Sequence, residues 1–105
     1  GNNQGVANGL NGIGIIYKIQ ENYPLALEYH QKSLKIWEET GDKQGIAASL
    51  INIGDIYNSQ GNYPLVLEYQ QKSLKIFEEI GDKKGIAQSL NNTGRIYQIQ
   101  KNYPL

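Results

Sequence analysis

The sequence predicts an all-α fold, an α-solenoid of antiparallel helical hairpins in about two and a half repeats and five helices. Three observations carry that prediction. The string Asn22-Tyr23-Pro24-Leu25 returns as Asn62-Tyr63-Pro64-Leu65 and as Asn102-Tyr103-Pro104-Leu105, which sets an internal period of 40 residues. Residues 1–40 and 41–80 agree at about 25 positions, and residues 81–105 keep the same register. Within each period, apolar residues recur at spacings of three and four, which places them on one face of a helix. The expected units are 1–40, 41–80 and a partial 81–105 that holds one helix and the start of a second. Its opening at a unit boundary and its stop just past Tyr103 suggest a piece of a longer array.

The second unit shows how each element arises. Asp42 follows Gly41 and is placed to cap a helix whose apolar residues are Ile46, Leu50, Ile53 and Tyr57. Gln60-Gly61-Asn62 is a turn signal, and Pro64 falls in the first turn of the next helix, where its missing N–H costs nothing. Val66, Tyr69, Ser73, Phe77 and Ile80 mark the expected buried side of that second helix. Glu68 with Lys72, and Lys75 with Glu79, are candidate i,i+4 ion pairs on its wet side. Gly81 ends it. Two helices of similar length joined by a short link are antiparallel neighbours. Neither buries its apolar face alone, so the units must stack.

These residues resemble the tetratricopeptide repeat family, whose signature runs Leu-Gly-x-x-Tyr on a first helix, then Gly-x-Tyr and a small residue opening a second. In the middle unit Leu50, Ile53-Gly54 and Tyr57 take the first-helix positions, and Gly61, Tyr63 and Val66 the turn and second helix. The first unit supplies Leu10, Ile13, Gly14, Tyr17, Tyr23 and Ala26, and the third Leu90, Gly94, Tyr97 and Tyr103. Gly14, Gly54 and Gly94, with Ala7, Ala47 and Ala87, are expected to admit a facing helix closely, with the tyrosines filling space between hairpins. The 40-residue period exceeds the commoner 34, so the helices are longer by about a turn, similar to the long-repeat arrays of kinesin light chains and of bacterial signalling proteins. His30 and Gln70 stand where the family has an aromatic, Ser33 and Ser73 where it has alanine, and Thr93 where it has leucine, so looser or wetter packing is expected there.

Composition narrows the function classes. Ten basic and ten acidic residues cancel, leaving no net field to draw the chain to nucleic acid or an anionic membrane. No cysteine is present, which excludes disulfides, thiolate nucleophiles and sulfur-ligated metals. No apolar run reaches the ~20 residues of a membrane span, and Gly1-Asn2-Asn3-Gln4 has neither region of a signal peptide. The chain is therefore expected to be soluble; the compartment stays open, with the cytoplasm as the expectation. His30 is the sole histidine, without partners for a metal site or a triad, and reads as a packing residue because Gln70 replaces it one unit on. Gly9, Gly12 and Gly14 lack the preceding strand and following Lys-Ser or Lys-Thr of a phosphate loop. They weaken the first helix instead, at up to about 1 kcal/mol each. Neither catalysis nor a cofactor is expected.

The resemblance implies that first helices line a concave groove. By register its residues are Asn8, Asn11, Ile15 and Lys18; then Ala48, Ile51, Asn52, Asp55 and Asn58; then Gln88, Asn91, Asn92, Arg95 and Gln98. At one helical position Ile15, Asp55 and Arg95 change from apolar to acidic to basic, which recognition explains more readily than packing. Asn11, Asn52, Asn91 and Asn92 could pair with the backbone of an extended peptide while Asp55 and Arg95 select its charges. The competing account is that Asp55 and Arg95 bridge neighbouring units as a surface ion pair worth about 0–1 kcal/mol. Chaperone-binding members of the family clamp a C-terminal carboxylate with lysine, arginine and asparagine. Here the matching positions read Asn11, Ile15, Asn52, Gln88 and Asn92, and only Asn52 fits, so chaperone tails are not expected to bind. The expected function is a protein-interaction module for a peptide or partner segment, in a larger signalling or scaffold protein. The alternative is a structural, self-assembling repeat whose uncapped end exposes Leu90, Ile96 and Tyr97.

Overall fold

The computed structural model describes residues 2–102. Its helices are α1 (Asn3–Ile19), α2 (Tyr23–Thr40), α3 (Lys43–Ser59), α4 (Tyr63–Ile80) and α5 (Lys83–Asn102). Each packs against the next in sequence, giving one row of α1, α3 and α5 and a second of α2 and α4. The thinnest extent, 17 Å, is two helices deep. Tyr103, whose place in the signature opens the last unit's second helix, lies outside the described residues, as do Pro104 and Leu105.

The joints are built by two devices. Asn2, Asn22, Asp42 and Asn62 each cap a helix, their side-chain oxygens accepting from the N–H of Gly5, Leu25, Gly45 and Leu65 at 3.1, 3.4, 3.0 and 3.4 Å. Gly41 and Gly81 end α2 and α4 in the left-handed region, with φ of 74° and 73°. The following aspartate N–H reaches back to Trp37 O and Phe77 O at 3.1 and 2.9 Å. One residue closes a helix and the next opens another. The link from α1 to α2 makes the same turn, but Glu21 holds φ 62° where the second unit has Gly61. A side chain there crowds the following carbonyl. Glu21→Gly is expected to raise stability by about 1 kcal/mol, read as a higher denaturation midpoint, while a lowered midpoint would contradict the strain.

Packing departs from the register-based expectation at named places. Val66, Ser73 and Phe77 are buried on α4 and Tyr69 half-buried, but Ile80, the last residue of the helix, is exposed. Lys72 pairs with Glu68 at 3.6 Å, whereas Glu79 pairs not with Lys75 but across to Lys43 of α3 at 3.2 Å. The antiparallel hairpin brings the end of α4 beside the start of α3. The tyrosines pack within hairpins rather than between them: Tyr17 meets Tyr29, and Tyr57 meets Tyr69, both at 5.6 Å between centroids. Ala7 and Ala47 are fully buried, but Ala87 and Gly94 on α5 are exposed. Leu90 and Tyr97 are also exposed, but Ile96 is completely buried on a helix that packs against α4.

Neither serine at the family's alanine position is wet. Ser33 Oγ donates to Ala7 O at 2.8 Å, and Ser73 Oγ to Gln70 O at 3.0 Å, both in buried surroundings. His30 and Gln70, at the aromatic position, are buried as well, and His30 Nε2 lies 2.8 Å from where a Cβ on Gly14 would stand. The glycine thus makes room for the imidazole.

Candidate functional site

The row formed by α1, α3 and α5 presents the residues selected by register. Asn11 and Asn52 sit opposite one another, half-buried, and Asn52 Nδ2 donates to Asn11 Oδ1 at 2.6 Å. This amide-to-amide hydrogen bond between α1 and α3 takes up part of the capacity assigned to a peptide backbone. Each side chain keeps its other amide group, so the pair can still give one donor and one acceptor. The repeat does not regenerate the bond, since the next pair in the same register is Ile51 with Asn92. Asn92 is half-buried, and Asn91, Asn58, Gln88 and Gln98 are exposed.

Ile15, Asp55 and Arg95 are all exposed on their helices, with Lys18 half-buried beside them. Lys18 and Arg95 both act on the Asp55 carboxyl. Their attraction only partly offsets the larger effect, loss of water around the carboxylate, which pushes it above the ordinary carboxylate value. Among the described residues the ion pairs within 4 Å are Glu28–Lys32, Lys43–Glu79 and Glu68–Lys72, so Asp55 and Arg95 do not bridge their units.

At the N-terminal ends of α1 and α3 the row opens into a cleft of about 360 Å³. Asn8, Asn11 and Ala48, all predicted for the groove, line it, together with Gln4, Gln44, Asp42 and Trp37. Register reasoning missed the last four. Gln4, Asn8 and Asn11 follow the i, i+4, i+7 spacing of one helix face, a signal that extends the groove by a turn. Trp37 carries no comparable signal, since nothing in its own helix shows that it closes against Gly45 of the next.

His30 stands behind this face. Its Nδ1 has no hydrogen-bond partner, and burial, with the nearby Lys18 charge adding to it, lowers the imidazole pKa below its ordinary 6.5. The unfolded chain therefore binds a proton that the folded chain refuses, between pH 6.5 and the lower folded-state value, and stability falls as pH falls through that window. His30→Gln, which copies Gln70, is expected to flatten that part of the pH profile of thermal stability. Parallel profiles for the two proteins between about pH 7 and 5 would contradict it.

Antiparallel helical hairpins joined by short turns and packed in two rows define a helical repeat protein of the solenoid class. A tetratricopeptide repeat model matches residues 5–79 and 46–105, so the chain belongs to the tetratricopeptide repeat family. No curated protein matches the chain. Members of this family are in general non-catalytic scaffolds that mediate protein–protein interaction. No helix among the described residues is long and apolar enough to cross a membrane.

Proposed function

We propose that this chain is a non-catalytic protein-interaction module. The face formed by α1, α3 and α5 takes an extended peptide or a segment of a partner protein, within a larger signalling or scaffold protein built on units 1–40, 41–80 and 81–105. The observation that carries the reading is the row Lys18, Asp55 and Arg95. These charges lie close enough to influence one another, yet Asp55 forms no ion pair among the described residues and remains free to meet a ligand. Asn11, Asn52, Asn58, Asn91 and Asn92 supply donors and acceptors for a peptide backbone, and Ile15 an apolar contact. Peptides enriched from a random displayed library are expected to lose at least tenfold in affinity with Asp55→Asn or Arg95→Gln, with the circular dichroism spectrum unchanged. Affinities untouched by both substitutions would remove this face from consideration. Peptides ending in a chaperone-type acidic tail are expected to stay at millimolar affinity or weaker, for lack of cations at the clamp positions.

A second reading, self-assembly, has its own support. Leu90 and Tyr97 are 55% and 60% exposed beside a hollow of about 100 Å³ that Leu67, Leu74 and Thr93 also line. The same positions one unit earlier, Leu50 and Tyr57, are covered by α4. Light scattering over a concentration series separates the readings: growth in mass that Leu90→Lys abolishes supports assembly, and a monomer at every concentration rejects it.

A further inference from the structure

The cleft between α1 and α3 has a chemistry narrower than the face it belongs to. Of the residues that line it, Asp42 alone carries a charge, and no lysine or arginine is among them. The rest of its polar wall is chiefly amide, from Gln4, Asn8, Asn11 and Gln44, and Trp37 closes one side. A carboxylate or phosphate entering here would find no lysine or arginine to replace its water, and the full charge of the Asp42 carboxylate opposes it more than the roughly half charge of the α3 N-terminus attracts it. A cation would find a carboxylate and several amide oxygens. Asp42 Oδ1 accepts from Gly45 N at 3.0 Å, and its second oxygen is not used in that bond. Asn11 Oδ1 is already engaged by Asn52, which leaves the amides of Gln4, Asn8 and Gln44 to serve as acceptors.

We infer that this cleft receives a basic side chain, an arginine guanidinium, from the bound segment. The guanidinium carries five donors in a flat fork and is weakly hydrated, so it suits a site with several dispersed oxygens and an aromatic wall. An ammonium offers three donors around a strongly hydrated point and loses more on entering. The site belongs to these units alone: in the corresponding positions of the next, Gln44 becomes Lys84 and Ala48 becomes Gln88, which brings in a cation and fills space. The inference rests on the reading of the α1, α3 and α5 face as the binding face, and names one residue class that the ligand carries.

Trp37 is the only tryptophan, so its fluorescence reports on the cleft directly. The probes are capped tripeptides Gly-Arg-Gly, Gly-Lys-Gly, Gly-citrulline-Gly and Gly-Glu-Gly, titrated at constant ionic strength. The arginine peptide is expected to give a saturable change, the lysine peptide to bind more weakly, the citrulline peptide at least tenfold more weakly, and the glutamate peptide not at all. Asp42→Asn keeps a good helix cap while removing the charge, and is expected to weaken the arginine peptide at least fivefold at an unchanged melting temperature. Asp82→Asn, the same change one unit on, is expected to leave it untouched. Equal response to arginine and citrulline, no saturable response at all, or indifference to Asp42→Asn would overturn the assignment. If that happens while library-selected peptides still depend on Asp55 and Arg95, the cleft chemistry is wrong and the binding face stands. If neither dependence is found, both fall.

Discussion

Ile56→Ala is expected to remove about 2–5 kcal/mol of stability, the usual cost of truncating a buried isoleucine together with the cavity it leaves. Ile56 is completely buried on α3, which packs against both α2 and α4, whereas α1, among the described residues, packs closely against α2 alone. Its counterpart one unit earlier, Ile16, is 55% exposed, and Ile16→Ala is expected to stay within about 0.5 kcal/mol. The two substitutions change the same atoms at the same repeat position, so their difference isolates what a preceding helix contributes. With total stability of about 5–15 kcal/mol for a domain of this kind, the Ile56 variant loses a large part of it and its melting temperature falls by about 10 °C or more. Equal melting temperatures for the two variants would mean that α2 does not seat α3 as described.

Gly45→Ala is expected to cost about 1–3 kcal/mol despite alanine being the better helix former. A Cβ at this position would stand under 3.0 Å from the Trp37 ring, at its inner atoms rather than its far edge, so the indole has to leave its seat. Gly85 holds Phe77 in the same way at the next joint. Gly12, where an added methyl group would meet nothing within 4 Å, is the control: Gly12→Ala is expected to stabilise by up to about 1 kcal/mol. Thermal melts give the sign, and the Trp37 emission maximum shows whether the ring moved. An unshifted emission with undiminished stability for Gly45→Ala would refute the close packing.

The architecture was legible from the letters because each local signal agrees with the others. The cap Asp42, the turn Gln60-Gly61-Asn62 with Pro64 after it, the stop Gly81 and the period of 40 all mark the same helix ends. What register could not reach is direction and reach. Ile96 and Tyr97 are neighbours on a helix, yet Ile96 is completely buried while Tyr97, at the rim of a hollow beside α4, is 60% exposed. Glu79 has a lysine four residues before it on its own helix, but the antiparallel partner supplies a better placed one. At the candidate site, the asparagines were visible as groove positions, but not that Asn11 and Asn52 would spend part of their capacity on each other. That outcome depends on the separation of two helices, which no single-helix pattern records.

The near identity of the two second helices also bears on how the chain finds its fold. α2 and α4 differ at only four of 18 positions: Ala26 against Val66, His30 against Gln70, Trp37 against Phe77, and Thr40 against Ile80. Either helix therefore offers α1 nearly the same apolar face, and a chain that pairs α1 with α4 early would hold a plausible but mistaken hairpin. The short turn at Glu21-Asn22 favours the correct neighbour by proximity, because closing the longer loop costs more entropy. Discrimination then falls to the fit of the His30 ring against Gly14 and to the larger buried side chain of Val66 where α2 has Ala26. Near-duplicate second helices give a repeat array its regular scaffold and, in the same stroke, a set of decoys that only a few side chains tell apart.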